Sequence, residues 1–387
     1  MKQPNRMVGE YGTTIFEVMS RLAREHEAIN LGQGFPEDGG PLDVVEKAAA
    51  ALRSDSNQYP PMLGTPELRR AVAEHDKRFY GLALDWQSQV MVTSGATEAI
   101  AVALMALIDP GDEVVVIEPA YDTYIPVIRL AGGMARPVRL APPDWRLPEA
   151  ELRAAFSPRT KAIIFNSPMN PTGKLFSRAE LDLIAELCRA HDCYAVCDEV
   201  YEHLVFDGGA HIPLITLPGM AERAIRIGSA GKTFSLTGWK VGYISAAAPL
   251  IERMGKCHQF LVFTTPPNLQ AAVAYGLGKD DAYFAGLAHS MQAKRDHLGK
   301  GLARIGFEVL PCGGTYFLSV DIRSVGFNGD DESFCRYITT EARVAAIPVS
   351  AFYTQDAPRH FARFCFSKED ATLDRAVDRL ARLFATG

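Results

Sequence analysis

Between Val90 and Ala246 the chain alternates short apolar runs with stretches of helical periodicity. The short runs are apolar nearly throughout, which is typical of strands buried on both faces of a parallel sheet. Strands are predicted at Val90–Thr93, Glu113–Ile117, Lys161–Asn166, Tyr194–Asp198 and Ala224–Gly228. Helices are predicted between them at Glu98–Ile108, Tyr121–Ala131, Pro148–Phe156 and Ser177–His191. This repeated β-α-β pattern predicts an α/β fold with a doubly wound sheet.

The pattern changes after about Leu277, where fewer strands and longer helices predict a smaller α+β domain. Its predicted elements are helices at Ala282–Ile305, Glu332–Glu341 and Ala371–Phe384 and strands at Phe307–Leu310, Thr315–Val320, Val344–Ile347 and Phe361–Phe366. The N-terminal segment has a predicted helix, Thr14–His26, but no sheet partner of its own. We therefore expect a large domain over residues 40–277 and a small domain built from residues 278–387, with segment 1–39 packed on it or on the functional site.

Composition narrows the class of protein. The chain has 387 residues, of which 48% are hydrophobic and 22% are charged, as in ordinary globular proteins with more than one core. A net charge of −6 argues against general nucleic-acid binding. Residues 1–10 do not resemble a signal peptide, and the longest apolar run, Ala99–Ile108, is too short to span a bilayer. A cytoplasmic protein with no membrane partner is expected.

Seven cysteines are scattered along the chain, and Cys188, Cys193 and Cys197 form their one cluster. Their spacing matches no zinc or iron–sulfur pattern, and no histidine pair completes it. No metal site is predicted. We expect buried free thiols, with Cys188 on a helix and Cys197 in a strand.

Polar residues follow several of the predicted strands, at the sheet edge where open α/β folds bind ligands. After Val90–Thr93 come Ser94, Gly95, Ala96 and Thr97, small residues that open a helix. Free amides at a helix start, together with the helix dipole, suit a phosphate. An ordinary helix N-cap explains the same residues equally well.

Two further strand ends offer candidate groups. After Lys161–Asn166, prolines on both sides of Met169 and Asn170 stiffen the turn and present the Asn170 amide in a fixed direction, although a plain turn accounts for the prolines as well. At the end of Tyr194–Asp198, the Asp198 carboxylate is costly to bury unless it meets a cation, either a ligand's pyridinium or a protein side chain. Tyr201, three residues later, is placed to donate its hydroxyl to the same ligand.

The segment Ser229 to Lys240 carries the most specific chemistry. Lys232 is flanked by small residues, with a hydroxyl at Ser229 and a cation at Lys240. Burial and a neighbouring cation lower the pKa of a lysine, so that its free amine can attack a carbonyl. A Walker A loop is excluded, because Arg226 stands where its first glycine belongs. A dinucleotide fingerprint is excluded too, because Glu37 replaces the third glycine after Gly32 and Gly34.

Two other residues stand out. Tyr121 follows Glu118-Pro119-Ala120 at the end of a strand and could stack on a flat ring or be a rim tyrosine. Arg363 interrupts the apolar run Phe361–Phe366. A buried arginine requires an anion, either a protein carboxylate or the carboxylate of a substrate.

Taken together, these segments resemble the class I/II aminotransferases of fold type I, which depend on pyridoxal phosphate. The strongest parts are Asn170–Gly173, Asp198–Tyr201 and Ser229–Lys232 with Lys240, and the resemblance covers nearly the whole chain. The branch with methionine, kynurenine and glutamine-phenylpyruvate aminotransferases is indicated by Asn30–Pro36, Gln58–Pro60 and Arg363–Glu369. The fold implied is a large domain with a mostly parallel seven-stranded sheet between helices, plus the smaller α+β domain. Members are homodimers with the active site at the subunit interface.

The resemblance also implies residue roles. Lys232 is the lysine that holds the cofactor and serves as the base, with Asp198 and Tyr201 as its catalytic partners on the ring. The cofactor-binding residues implied are Gly95, Ala96, Thr97, Ser229 and Lys240 at the phosphate, Tyr121 stacked on the ring, Asn170 and Tyr201 at the ring oxygen, Asp198 at the ring nitrogen, and Tyr59 at the phosphate of the other subunit. The substrate contacts implied are Gly34, Asn170 and Arg363 for the carboxylate and Phe16 and Phe263 for the side chain.

The reaction implied transfers the amino group of an L-amino acid to a 2-oxo acid by ping-pong kinetics. Thr264 stands where some relatives of this branch have a histidine, and Phe16 where many have a tryptophan, so the preferred side chain stays open. The pocket is expected to accept large uncharged side chains. A β-lyase acting on cysteine conjugates is the alternative activity on the same fold. A cofactor-sensing regulator is disfavoured, because it would need a DNA-binding domain for which there is no room before Gly32.

Overall fold

The computed structural model describes residues 5–384. Within that range the α-helices, in chain order, are α1 (Arg6–Gly9), α2 (Ile15–Glu25), α3 (Leu42–Ser54), α4 (Pro66–Tyr80), α5 (Trp86–Gln89), α6 (Gly95–Leu107), α7 (Tyr124–Leu130), α8 (Glu149–Ala155), α9 (Arg178–Ala190), α10 (Ala230–Thr233), α11 (Ala248–Leu261), α12 (Pro267–Leu277), α13 (Asp281–Ile305), α14 (Asp331–Glu341) and α15 (Asp370–Phe384). Short 3₁₀ turns lie at Leu214–Thr216, Thr237–Trp239, Ile322–Val325 and Val349–Phe352.

The β-strands of the same range are β1 (Ile29–Asn30), β2 (Val90–Ser94), β3 (Glu113–Glu118), β4 (Met134–Arg139), β5 (Thr160–Asn166), β6 (Tyr194–Asp198), β7 (Ala224–Ser229), β8 (Val241–Ser245), β9 (Glu308–Val309), β10 (Phe317–Asp321), β11 (Val344–Ala345), β12 (Ile347–Pro348) and β13 (Phe361–Cys365). The five strands predicted in the first half are all present, with ends that move by at most one residue.

Seven of these strands form the central sheet of the described chain, in the order β2-β8-β7-β6-β5-β3-β4. The β3–β4, β3–β5, β5–β6 and β6–β7 pairs are parallel, whereas β8 is antiparallel to both β2 and β7. Helices cover both faces. On one face α6 and α7 pack with Ile225 and Ile227, and on the other α9 packs with Phe165 and Ala195. Burial on both faces explains why the strand sequences are apolar throughout.

Two strands of this sheet, β4 and β8, were not predicted from the hydrophobic pattern. Strand β4 reads Met-Ala-Arg-Pro-Val-Arg and lies at the sheet edge, where proline and charged residues are tolerated. Strand β8 follows Lys240 directly and has only five residues. The helix predicted at Tyr121–Ala131 is also shorter than expected. It begins at Tyr124, so Tyr121 lies in the preceding loop.

A second sheet, in the order β12-β13-β10-β9, is antiparallel and packs with α13, α14 and α15. The single strand predicted at Val344–Ile347 is wrong: it is interrupted at buried Ala346 and divides into β11 and β12, which join different sheets. Strand β11 pairs in parallel with β1 of the N-terminal segment, so that segment does have a sheet partner. Met19 and Leu31 enter the same core as β10 and β13, which is the packing expected for that segment. The domain limits at residues 39 and 277 stay a prediction.

The three clustered cysteines, Cys188, Cys193 and Cys197, are buried free thiols, as predicted, with Cys188 on α9 and Cys197 on β6. None of the helices within residues 5–384 has the length and apolar character needed to cross a lipid bilayer.

Candidate active site

A cavity of about 380 Å³ opens at the carboxyl ends of β2, β5, β6 and β7. That edge is where open α/β sheets bind ligands. The wall combines loops of the central sheet with β10, β13 and the N-terminal segment. Thirteen of the fifteen predicted site residues line it: Phe16, Gly34, Gly95, Ala96, Thr97, Tyr121, Asn170, Asp198, Tyr201, Ser229, Lys232, Lys240 and Arg363.

One end of the cavity is electropositive. Gly95, Ala96 and Thr97 form the first turn of α6, whose amides and dipole favour an anion. The ammonium of Lys240 lies at the same place, 3.4 Å from the Thr97 hydroxyl. Gly95 has a φ of +71°, and a Cβ there would stand 3.2 Å from Lys240 Cε. The positive φ favours glycine at position 95, and a larger residue would also have to displace the end of the Lys240 side chain slightly.

Asp198 ends β6 and is only 5% exposed. The Tyr124 hydroxyl donates a hydrogen bond of 2.6 Å to its Oδ2. Burial raises the pKa of the Asp198 carboxyl from 3.8 to about 6, and the hydrogen bond from Tyr124 opposes that rise. Among the described residues, no lysine, arginine or histidine comes within ion-pair distance of Asp198. This buried acid is therefore available to a cation that enters the cavity.

Lys232 lies on α10, directly after Ser229 closes β7. Its Nζ donates a hydrogen bond of 2.8 Å to the Tyr316 hydroxyl, which in turn donates one of 2.6 Å to the Gly34 carbonyl. Burial lowers the pKa of Lys232 from 10.5 to about 8; Asp198 opposes this, while Arg363 and Lys240 add to it. The lowered lysine pKa expected from the sequence is present, with burial rather than the neighbouring cations as its main cause.

Arg363, on β13, is 1% exposed and reaches the cavity from the small sheet. It donates from one terminal nitrogen to Asn170 Oδ1 and from the other to the Gly32 carbonyl, both at 2.6 Å. The guanidinium lies 3.8 Å above the Phe317 ring, and its Nε has no hydrogen-bond partner in the described structure. Burial lowers the pKa of Arg363 to about 10. No carboxylate of the described chain forms an ion pair with it, so an external carboxylate suits this position.

Gly34 lies beside the same arginine. A Cβ at this position would stand 2.6 Å from Phe317 Cζ, so no larger residue fits without moving that ring. Asn170 is held from both sides, because its backbone N–H donates to Asn166 Oδ1 at 2.6 Å and its side-chain oxygen accepts from Arg363.

Phe16 and Tyr121 form the aromatic walls, and Phe16 contacts the Phe352 ring edge-on at 5.6 Å. Tyr59 and Phe263 do not line the cavity of the single chain. Tyr59 is 83% exposed, and its ring contacts Phe263 edge-on at 5.5 Å. These two residues form an exposed aromatic pair on the outside of the protein.

Sequence reasoning missed several polar residues at the site. Asp122 and Asn166 line the cavity, and Tyr124 and Tyr316 bind Asp198 and Lys232 through their hydroxyls. Asn166 offered a signal, since it ends a buried strand just before the Asn170 turn, and its Nδ2 donates to the Asp198 carbonyl at 2.7 Å. Tyr124 and Tyr316 offered none, because aromatic residues in apolar surroundings look like core. Burial raises the pKa of Asp122, which faces Arg363 without forming an ion pair.

A family model described as aminotransferase class I and II matches residues 26–380. The chain belongs to this family. It is 45% identical over 384 residues, 96% of each chain, to the probable N-succinyldiaminopimelate aminotransferase of Mycobacterium tuberculosis. It is 40% identical to the methionine aminotransferase of Escherichia coli, over 98% of each chain. Identity to the mouse kynurenine–oxoglutarate transaminase 1 is 39%, over 93% of each chain.

The same likeness holds in three dimensions. The solved structure of the M. tuberculosis N-succinyldiaminopimelate aminotransferase superposes with a TM-score of 0.96 and covers 99% of this chain and 100% of that one. The structure of the E. coli methionine aminotransferase gives a TM-score of 0.95, with 99% and 100% covered. This aminotransferase therefore has fold type I, and it is a transaminase of the pyridoxal-phosphate-dependent class.

Proposed function

We propose that this aminotransferase binds pyridoxal phosphate in the cavity and moves the amino group of an L-amino acid to a 2-oxo acid. The donor has a large uncharged side chain, of the methionine, aromatic, glutamine or kynurenine type. Donor and acceptor use the one cavity in turn, as in ping-pong kinetics. The observation that carries the proposal is that one cavity contains Lys232 together with a buried acid, Asp198, and a buried cation, Arg363, neither of which has an ionic partner among residues 5–384.

The residues present fit pyridoxal phosphate. The first turn of α6 and Lys240 form an anion site that suits the phosphate, with Ser229 beside it. Asp198 suits the pyridinium nitrogen, because a cation there would offset the burial that raises the pKa of its carboxyl. Tyr121 offers a face for stacking, and Asn170 and Tyr201 offer hydrogen-bond donors to the ring oxygen.

When bound, pyridoxal phosphate supplies an aldehyde that takes up the amino group and a ring that accepts negative charge from the substrate Cα. Arg363 binds and orients the substrate carboxylate, together with the backbone at Gly34. Lys232 Nζ accepts the Cα proton and returns it, a role that general-base catalysis makes worth roughly 10²–10⁴-fold in rate. Tyr316 holds that nitrogen in place by the hydrogen bond of 2.8 Å.

The preference for uncharged side chains rests on the charges that line the cavity. The cationic side chains there are Lys232, Lys240 and Arg363, and each already has a role. The remaining wall contains Phe16, Tyr121 and the Asp122 carboxylate. A second carboxylate on the substrate would lie near Asp122 and lack a free cation, so acidic side chains are disfavoured.

A homodimer completes the proposal. Tyr59 and Phe263 lie on the surface with two further exposed apolar residues, Phe260 and Leu261, of which Phe260 is 83% exposed. Contiguous exposed aromatic surface of this kind marks an interaction site. In the dimer, Tyr59 reaches the phosphate of the partner's cofactor and Phe263 the partner's substrate pocket.

The test is a donor panel with the cofactor-loaded protein, in which the absorbance change of the half-reaction is recorded for each donor. L-Methionine, L-phenylalanine, L-kynurenine and L-glutamine are expected to react faster than L-aspartate, L-glutamate and N-succinyl-L,L-diaminopimelate. A clear preference for an acidic donor would overturn the proposed side-chain class. Pyruvate released from a cysteine conjugate without any 2-oxo acid acceptor would favour the β-lyase activity instead. Lys232→Ala serves as the control for background reaction.

A further inference from the structure

Arg226, which ruled out a Walker A loop, lies at the centre of a buried charge network behind the cavity. It belongs to β7 and its side chain has no exposed surface. Three carboxylates surround the guanidinium: Asp76 at 2.8 Å, Glu199 at 2.9 Å and Glu202 at a shorter contact. Burying one cation with three carboxylates carries a large desolvation cost, which is a reason to look for a role beyond packing.

Two of those carboxylates come from the segment that carries the cofactor-facing residues. Along Asp198-Glu199-Val200-Tyr201-Glu202, the cavity is lined by Asp198, Val200 and Tyr201, while Glu199 and Glu202 do not line it and contact Arg226 instead. The acids that Arg226 binds therefore adjoin, in sequence, the two polar residues that face the cofactor site.

This segment has left the strand ladder, so side-chain contacts add to the backbone hydrogen bonds of its turn, such as the one from the Glu202 N–H to the Glu199 carbonyl at 3.0 Å. Residues 200–203 form a turn, and its ladder contact ends with the Glu199 N–H bonded to the Ile227 carbonyl at 2.9 Å. The Tyr80 hydroxyl donates to Glu202 at 2.5 Å, and the Leu214 N–H donates to Glu199 at 3.3 Å. Burial alone would raise the pKa of Glu202, but Arg226 and nearby histidines outweigh burial and hold it below its ordinary range. Glu202 is therefore ionised and bound to Arg226.

We propose that Arg226 is a positioning residue, which through Glu199 and Glu202 holds the turn at the orientation where Asp198 and Tyr201 face the cofactor. The inference rests on the proposed function, because it requires pyridoxal phosphate in the cavity. Asp76 neutralises the same guanidinium but comes from α4, outside the turn. It therefore serves as a matched control.

The experiment compares Glu199→Gln, Glu202→Gln and Asp76→Asn, each of which removes one charge and keeps the side-chain shape. Two carboxylates still face Arg226 in every variant, so all three are expected to fold, which the urea midpoint of the cofactor-free protein checks. The readouts are the dissociation constant for pyridoxal phosphate and the pH midpoint of the bound cofactor's absorbance. A misplaced Asp198 and Tyr201 should weaken binding by about ten-fold and shift the midpoint in both glutamate variants. Asp76→Asn should change the dissociation constant for pyridoxal phosphate by less than about two-fold and leave the pH midpoint unshifted, even if it changes the stability of the protein.

Equal effects of all three variants on cofactor affinity, or no effect of the glutamate variants, would overturn the positioning role. Glu202→Asp extends the test, because it restores the charge but not the reach, and it should recover part of the affinity. If the unmodified protein fails to bind pyridoxal phosphate, the proposed function fails instead. The two failures are therefore distinguishable.

Discussion

Replacing Asp198 with asparagine is expected to stabilise the cofactor-free protein while weakening its hold on the cofactor. The carboxyl is buried without an ionic partner, and burial raises its pKa from 3.8 to about 6. A shift of about 2 pKa units, at ~1.4 kcal/mol per unit, is a penalty of up to ~3 kcal/mol on the ionised folded state. Asparagine removes that charge and still accepts the Tyr124 hydrogen bond, but its new N–H₂ lacks a good acceptor. A buried unsatisfied donor costs about 1–3 kcal/mol, so the expected net gain is about 0–2 kcal/mol.

The raised pKa of Asp198 determines the direction in which the stability of the folded protein changes with pH. Because the folded pKa lies above the unfolded one, the penalty is complete above pH ~6 and vanishes below pH ~4. At pH 5 the charge penalty is roughly half its value at pH 8, while the cost of the new amide donor is unchanged. The stability advantage of Asp198→Asn should therefore be largest at pH 8 and fall by more than half at pH 5. Urea unfolding of the cofactor-free protein, followed by tryptophan fluorescence at both pH values, measures it.

Asp321 provides the control, because it is buried to the same extent, 5% exposed, but is paired with Arg323. Burial alone would raise the pKa of Asp321, and the hydrogen bonds with Arg323 outweigh it and lower the pKa. Asp321→Asn should thus lose stability at pH 8, opposite to Asp198→Asn. An Asp198→Asn variant that is less stable than the unmodified protein at pH 8, or equally improved at both pH values, would show that burial of the Asp198 charge does not destabilise the folded protein.

Other consequences concern the neighbours of Asp198 in the cavity. Burial lowers the pKa of Lys232 to about 8, so the rate at which it reacts with added pyridoxal phosphate should rise with pH with a midpoint near pH 8. Stopped-flow absorbance measures this rate, and a midpoint near pH ~10 would show an ordinary lysine. Arg363→Lys should raise KM for amino donors by about 10–100-fold with a smaller change in kcat, because an ammonium cannot form a bidentate hydrogen bond with the substrate carboxylate. An unchanged KM in steady-state assays would place the substrate carboxylate elsewhere. Tyr124→Phe should raise the dissociation constant for pyridoxal phosphate by about ten-fold in an equilibrium titration, and equal affinities would mean that the Tyr124 hydrogen bond does not position Asp198.

The sequence predicted best where a physical signal is local. Strands buried on both faces leave apolar runs, so the parallel strands that end at Asn166 and Asp198 could be read from the chain. Strand β4 could not, because an edge strand buries one side only and here contains Pro137 and two arginines. The division between β11 and β12 depends on which sheet each half meets, which no local pattern contains.

The site residues likewise include some that a local signal predicts and others that it does not. Lys232, Asp198 and Arg363 stand out because charged residues in apolar surroundings need a reason. Tyr124 and Tyr316 do not stand out, since their hydroxyls meet Asp198 and Lys232 only after the chain folds, across 74 and 84 residues. Tyr59 and Phe263 were named from the family resemblance alone, and they lie outside the single-chain cavity.

The proposed function depends most directly on Lys232, which is expected to form a reversible imine with the aldehyde of pyridoxal phosphate. To test this, the protein is incubated with pyridoxal phosphate, reduced with borohydride, digested and mapped by mass spectrometry. We expect one stoichiometric pyridoxyl group on Lys232, and none at that position when L-methionine is added before reduction to convert the bound cofactor. Modification at Lys240 or at exposed lysines in place of Lys232, or no modification at all, would contradict the assignment of Lys232.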